Sequence, residues 1–327
     1  MRRRVASLGK WIMLASGGML TSWGCAGGGL YVPVESDPFV ASFPRDSLVV
    51  EQLNSQTFET TYLALNRAGA ERPINLPTID PFIAQIVHTG GKYYICFWSQ
   101  ETGQVTVSVN STASIVGSKP IVTDAVTVGV PGEPTQSIFT VTPDRRLIYI
   151  DGTNAIASVP LTGGPKQTIL NGSLFCLSIT PSPDGSRSFV STLSGCFILK
   201  NGTVEQSLPG AYSYGPVAWS PDSNTLYFDG SGLSSSGNEA IFSLKPGGTP
   251  SLMFLTGIPT FIYDLALSPD GHTLAANDAR NVYLADLGHP SQGFKTLLAG
   301  SSSATNIVQF WTPKSFGGNS FFFSILF

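Results

Sequence analysis

Two stretches decide the fold, and they say the same thing: VAWSPDSNTLYFD at residues 217–229 and LALSPDGHTLAAN at residues 265–277. Each has a short apolar run, a Ser-Pro-Asp sequence, and a second run dominated by apolar residues. Proline presets φ for the second position of a type I turn, and aspartate tolerates the third. The residue after them takes the left-handed position that glycine suits, as at Gly271. Each stretch therefore reads as strand, tight hairpin, strand.

Working outward, the same grammar recurs in TPDRRLIYI at 142–150 and in TPSPDGSRSFVST at 180–192. The Pro-Asp pairs begin at Pro143, Pro183, Pro221 and Pro269. That spacing, about 40 to 50 residues, is the length of one four-stranded propeller blade. After each pair of strands comes a polar turn, then a third run: AIASV at 155–159, CFIL at 196–199, AIFSL at 240–244 and VYLA at 282–285. A Gly-rich turn and a fourth strand close each unit. Two flanking units are weaker. Residues 82–109 keep the strand rhythm with Thr89-Gly90-Gly91 as the first turn. Residues 306–327 have Thr312-Pro313-Lys314 there and supply two strands. Since a ring must close or leave bare strand edges, residues 47–53 and 57–66, which read as two strands, are expected to complete the final blade. The expectation is an all-β, six-bladed β-propeller of four-stranded antiparallel blades, its last blade closed by N-terminal strands.

Val217-Ala218-Trp219-Ser220-Pro221-Asp222 and Leu265-Ala266-Leu267-Ser268-Pro269-Asp270-Gly271 resemble the repeat of TolB-type propellers, also found in the propeller of prolyl oligopeptidases. The resemblance covers residues 138–300 best. It implies a part in cell-envelope assemblies. The separate α/β domain of TolB has no counterpart between Cys25 and the first strands, so a specific TolB role is not implied.

The chain divides into three parts: residues 1–25, a signal peptide; 26–44, a flexible tether; and 45–327, one propeller domain. Arg2-Arg3-Arg4 form a cationic start and Val5 to Leu20 are mostly apolar or small. Gly24-Cys25 and the glycines that follow resemble a bacterial lipoprotein signal, which implies lipidation at Cys25 and a tether off a membrane. The expected location is thus outside the cytoplasm, on the periplasmic side of a membrane or at the cell surface. Cys176 and Cys196 fall in one repeat, but the strand reading sets them on non-neighbouring strands, too far apart for a disulfide unless one sits at a turn.

Chemistry is harder to find. Among 327 residues there are 35 glycines and 23 prolines, only 12% are charged, and the net charge is −3. No cationic stripe is present for a nucleic-acid backbone. The three histidines are His88, His272 and His289; His272 directly follows a Pro-Asp-Gly turn and His88 precedes the Thr-Gly-Gly turn, so both read as turn residues. There is no Gly-x-Ser-x-Gly nucleophile elbow and no His/Cys metal spacing, so neither a metal site nor a cofactor is expected. Asp151, Asp229, Asp278 and Asp286 recur near blade turns, where carboxylates stabilise Asx motifs. The alternative for them is a metal in the central channel, as in six-bladed lactonases, which would make the chain a hydrolase.

Binding suits the layout better than catalysis. The turn between second and third strands shares one face of a blade ring with the blade-to-blade crossover. That face gathers Tyr212, Tyr214, Asp229, Phe261, Asn277, Asp278 and Arg280, with Tyr263 beside them, and aromatics among polar turns suit recognition. The expected activity is non-catalytic: a binding or scaffold lipoprotein docking an envelope protein or cell-wall ligand on this face.

Overall fold

A computed structural model describes residues 44–54, 56–57, 60–74, 82–89, 92–99, 104–110, 120–125, 139–142, 144–174, 176–192, 194–209, 216–230, 239–258, 261–278, 280–300, 304–311 and 321–326. Within them are six antiparallel sheets, the blades of one propeller. Five have four strands and one has five.

The first blade comprises β4 (Phe82–Thr89), β5 (Lys92–Ser99), β6 (Gln104–Asn110) and β7 (Pro120–Ala125). The second has β8 (Phe139–Val141), β9 (Arg146–Ile150), β10 (Ile156–Pro160) and β11 (Gln167–Leu170); the third has β12 (Cys176–Pro181), β13 (Arg187–Thr192), β14 (Gly195–Lys200) and β15 (Thr203–Pro209). The fourth has β16 (Val217–Trp219), β17 (Leu226–Asp229), β18 (Ala240–Leu244) and β19 (Ser251–Leu255); the fifth has β20 (Asp264–Leu267), β21 (Thr273–Asn277), β22 (Val282–Asp286) and β23 (Lys295–Leu298). The sixth is assembled from both parts of the chain, in the order β24 (Ala304–Trp311), β1 (Leu48–Asn54), β2 (Thr60–Leu65), β3 (Glu71–Ile74).

The ring closes through N-terminal strands, as expected, but by a different division. Three strands come from the N-terminal side and one from the C-terminal side, with Leu48 opposite Trp311 and Asn54 opposite Ala304. The last strand, β25 (Phe321–Leu326), does not stay in this blade. It pairs with β4 from Phe321 opposite His88 to Leu326 opposite Ile83, and becomes the fifth strand of the first blade. The extra N-terminal strand, β3, is the outer edge of its sheet, the place where a strand tolerates a proline such as Pro73.

The Pro-Asp turns form as read, and the residue after each aspartate is left-handed: Arg145 (φ 60), Gly185 (φ 68), Ser223 (φ 59) and Gly271 (φ 74). The preceding hydroxyl is the part the sequence reading missed. Ser182, Ser220 and Ser268 each donate to their own aspartate, at 2.6, 2.5 and 2.7 Å, and Thr142 donates to Asp144. The same oxygens accept the N–H of Arg187, Thr225 and Thr273 at 3.0, 2.8 and 2.9 Å, so one hydroxyl clamps both arms of the hairpin. Adjacent turns also interlock. The Asp184 N–H donates to Ser223 Oγ at 3.1 Å, and Arg67 of the sixth blade pairs with Asp270 of the fifth at 2.6 Å.

The apolar core lies between blades. Phe139, Tyr149 and Ile156 pack with Ile179 and Val190 between the second and third; Phe189 and Ile198 pack with Trp219 and Phe228 between the third and fourth. Ile241 and Phe254 meet Leu265 and Leu274, and Ala266 and Val282 meet Val50 and Val308. Each fully buried Leu, Ile or Phe stabilises the ring by roughly 1.5–3 kcal/mol. Cys176 and Cys196 are buried free thiols that belong to clusters on opposite faces of the third blade, with β13 between their strands. Two strand spacings, about 10 Å, lie between them, beyond disulfide reach.

Candidate functional site

The crossover face is built by turns that end the second strand of each blade. At the end of β9, Asp151 Oδ1 accepts the Thr153 N–H at 2.8 Å, the Thr153 hydroxyl at 2.6 Å and the Ala155 N–H at 3.3 Å. Burial would raise its carboxyl, but these bonds and Lys166, 3.2 Å away, hold it below the ordinary value. At the end of β21, Asp278 accepts the N–H groups of Arg280 and Asn281 at 3.0 and 2.7 Å and the Tyr283 hydroxyl at 2.6 Å. Burial pulls against these bonds here too, and the bonds prevail. The Tyr283 hydroxyl is pushed up to about 12 by burial and by that carboxylate. Both aspartates are spent on their own turns.

The crossovers press glycine against these turns. A Cβ at Gly172 would stand 2.1 Å from the Thr153 carbonyl oxygen, and one at Gly300 2.1 Å from the Arg280 carbonyl oxygen. Crossover and turn thus touch backbone to backbone at equivalent places in the second and fifth blades. The Gly-rich composition has one of its causes here.

The expected recognition residues separate into three groups. Phe261 is 69% exposed, Tyr263 is 36% exposed, and Arg280 is exposed. Asn277 and Asp229 are buried, at 0% and 3%, and Asp278 is half-buried within its turn. Asn277 corrects the sequence reading: its amide is committed to the blade seam, where it donates to the Asn306 carbonyl at 2.9 Å and accepts the Val308 N–H at 3.3 Å. Asp229 is likewise a buried residue at the base of its loop rather than a surface contact. Tyr212, Tyr214 and Cys25 lie outside the described residues.

Residues that the sequence reading left out join the exposed group. Leu252 and Leu255 on β19 are 53% and 48% exposed, so four of the five exposed large hydrophobic side chains among the described residues fall between 252 and 263. A bulge in the β18–β19 pairing sets Leu252 opposite Phe242 and Leu255 opposite Ala240, which puts both leucines on one face despite their odd separation. The two leucines share the face of Ala240 and Phe242, which packs toward the third blade, whereas Phe261 and Tyr263 lie in the crossover to the fifth.

Among the described residues, no three His, Cys, Asp or Glu side chains are grouped so as to hold a metal ion. His272 is exposed, and His289 Nδ1 lies 2.9 Å from its neighbour Asp286. A cleft of about 380 Å³ between the fifth and sixth blades is lined by Arg67, Thr273, Leu284, Asp286, Lys295 and Leu297. These residues sit at the strand ends nearest the Pro-Asp turns, on the other face of the ring. Arg67 is held there by Asp270, and Lys295 Nζ by Gln292 at 2.7 Å. Among the described residues no helix is long and apolar enough to cross a membrane.

No family model matches the sequence, and no curated protein matches it. Solved structures do. TolB from Acinetobacter baumannii superposes with a TM-score of 0.53 at 14% identity, over 84% of this chain and 69% of that one. A candidate 6-phosphogluconolactonase from Bacteroides uniformis gives 0.48 at 15% identity, over 85% of this chain and 100% of that one. A candidate TolB from Agrobacterium tumefaciens gives 0.43 at 19% identity, over 86% and 98%. The likeness to TolB shows a shared propeller fold, not a shared activity.

Proposed function

We propose that this chain is a non-catalytic binding or scaffold propeller of the bacterial cell envelope. It is exported, anchored to a membrane through lipid on Cys25, and docks a protein or cell-wall partner on its crossover face. The observation that carries the reading is the exposure of Phe261, Tyr263 and Arg280 in the crossover and turn of this face, with Leu252 and Leu255 also exposed on the outer strand of the fourth blade. Single surface hydrophobics need no explanation, but two exposed aromatics in one crossover suit a partner's anchor residues. The carboxylates of Asp151 and Asp278 are occupied in turns, which favours binding over acid–base work at this face.

The test is capture by crosslinking from intact envelope, comparing the native chain with a variant carrying F261A and R280A. Loss of one specific partner with unchanged thermal stability supports the reading. An identical set of captured proteins sinks it. A stoichiometric divalent ion in the purified protein, with hydrolysis of a lactone, would favour the channel hydrolase instead.

A further inference from the structure

We propose that the seam between the fifth and sixth blades, where the two ends of the chain are joined, is a pH-sensitive clasp in which Asp264 must carry a proton for the ring to stay tightly closed. The proposal begins from placement. Asp264 opens β20 and shares a face with Ala266, which packs onto the sixth blade beside Val50 and Val308. It is paired across the hairpin with Asn277, the residue that stitches β21 to β24. Asn306 continues the stitch, accepting from Gln52 at 3.0 Å and donating to the Arg280 carbonyl. All these bonds are amide bonds, neutral at every ordinary pH. Into their midst the fold brings one carboxyl, whose Oδ2 is shut off from solvent and has no hydrogen-bond partner.

On balance the surroundings favour the neutral form. The Asn277 side chain pulls the other way, toward the carboxylate, and is outweighed. β16 and β24, which pack against β20, contain no ionisable side chain between Val217 and Trp219 or between Ala304 and Trp311. The charged group that bears on Asp264 is Glu51 of β1, itself buried and opposite Tyr62, and it has the same sign. Asp278 and Tyr283 in the next turn are engaged with each other, and Arg280 is exposed. Burial first, and Glu51 second, push the Asp264 carboxyl up to about 7.

The sign follows from linkage. An unfolded aspartate titrates near 4, so between about 4 and 7 the closed ring binds a proton that the open chain does not. The contribution of this carboxyl to stability is complete below that window and falls as pH rises through it. Above neutrality an ionised Asp264, half-buried and with its Oδ2 shut off from solvent, faces the like charge of Glu51, and the strain falls on the β20–β24 contact.

Hydrogen exchange followed by mass spectrometry, corrected for intrinsic rates, at about pH 6 and about pH 8 tests this. In the native chain, peptides covering 264–277 and 304–311 are expected to lose protection at the higher pH while those of the second and third blades keep theirs. D264N should abolish the difference. E51Q should shrink it and move it to lower pH, a second readout that holds should D264N fold poorly. Equal protection of the seam at both pH values, or a difference that survives in D264N or stays unmoved in E51Q, would overturn the proposal.

Discussion

Asn277 of β21 reaches across the blade boundary and donates to the Asn306 carbonyl oxygen of β24 at 2.9 Å, while its own Oδ1 receives the Val308 N–H at 3.3 Å. One buried amide thereby satisfies two backbone groups of the strand that closes the ring. N277A would strand a buried donor and a buried acceptor together. The expected cost is about 2–4 kcal/mol, read as a lower urea midpoint with little change in slope.

Left-handed backbone separates two substitutions that sequence similarity would treat alike. R145G should stabilise by about 0.5–1 kcal/mol, because Arg145 is exposed and sits at φ 60 where an L side chain is strained. G271A should destabilise by about 1–2 kcal/mol, since φ is 74 there and the new Cβ would lie 3.3 Å from Pro221 Cδ of the neighbouring blade. Thermal melts of the two variants, run side by side, check both signs.

The thiols of Cys176 and Cys196 are buried, and burial pushes them up to about 12 and about 11. Both should resist a thiol reagent at neutral pH and react only on unfolding. Peptide mapping after labelling with and without denaturant would show it, and a native-state disulfide between them should be absent.

Acid should weaken the contact between the fifth and sixth blades. Burial alone would raise the Asp270 carboxyl, but bonds from the Ser268 hydroxyl and the His272 N–H, with Arg67 beside it, hold it well below the usual range. A depressed carboxyl contributes stability above about pH 4 that is lost as pH falls toward its folded value. R67A should reduce that acid dependence, by about 0.5–1 kcal/mol at most because Arg67 is 37% exposed. Stability curves between about pH 2 and pH 6 give the comparison.

These residues also show what could be read in advance. The Pro-Asp turns announce hairpins because proline and a left-handed residue leave the backbone few choices, and four of them at blade spacing fix the architecture. The destination of β25 could not be read that way. Strand alternation says that a segment will pair, not with which sheet, and only the closed ring brings β4 within its reach. β3 went unread because Glu71, Arg72 and Pro73 look like a loop, although an edge strand accepts them. Asn277 reads as a surface residue because it is polar and ends a strand. The partner that makes its burial tolerable, Asn306, lies 29 residues further on in another blade. The exposure of Phe261 and Arg280 is legible because the loop that joins two blades and the turn that joins two strands of one blade both pass over the surface.

The path of the last two strands has a consequence for how the molecule comes into being. The second to fifth blades are each contiguous in the chain and can be completed in order as the ribosome delivers them. The sixth blade must keep three of its strands waiting until Ala304–Trp311 has emerged, and the first lacks its fifth until Phe321–Leu326 follows. A message truncated between those two segments would yield a ring already joined; one truncated before the first would yield an arc with two raw edges, the form most prone to stick to its neighbours.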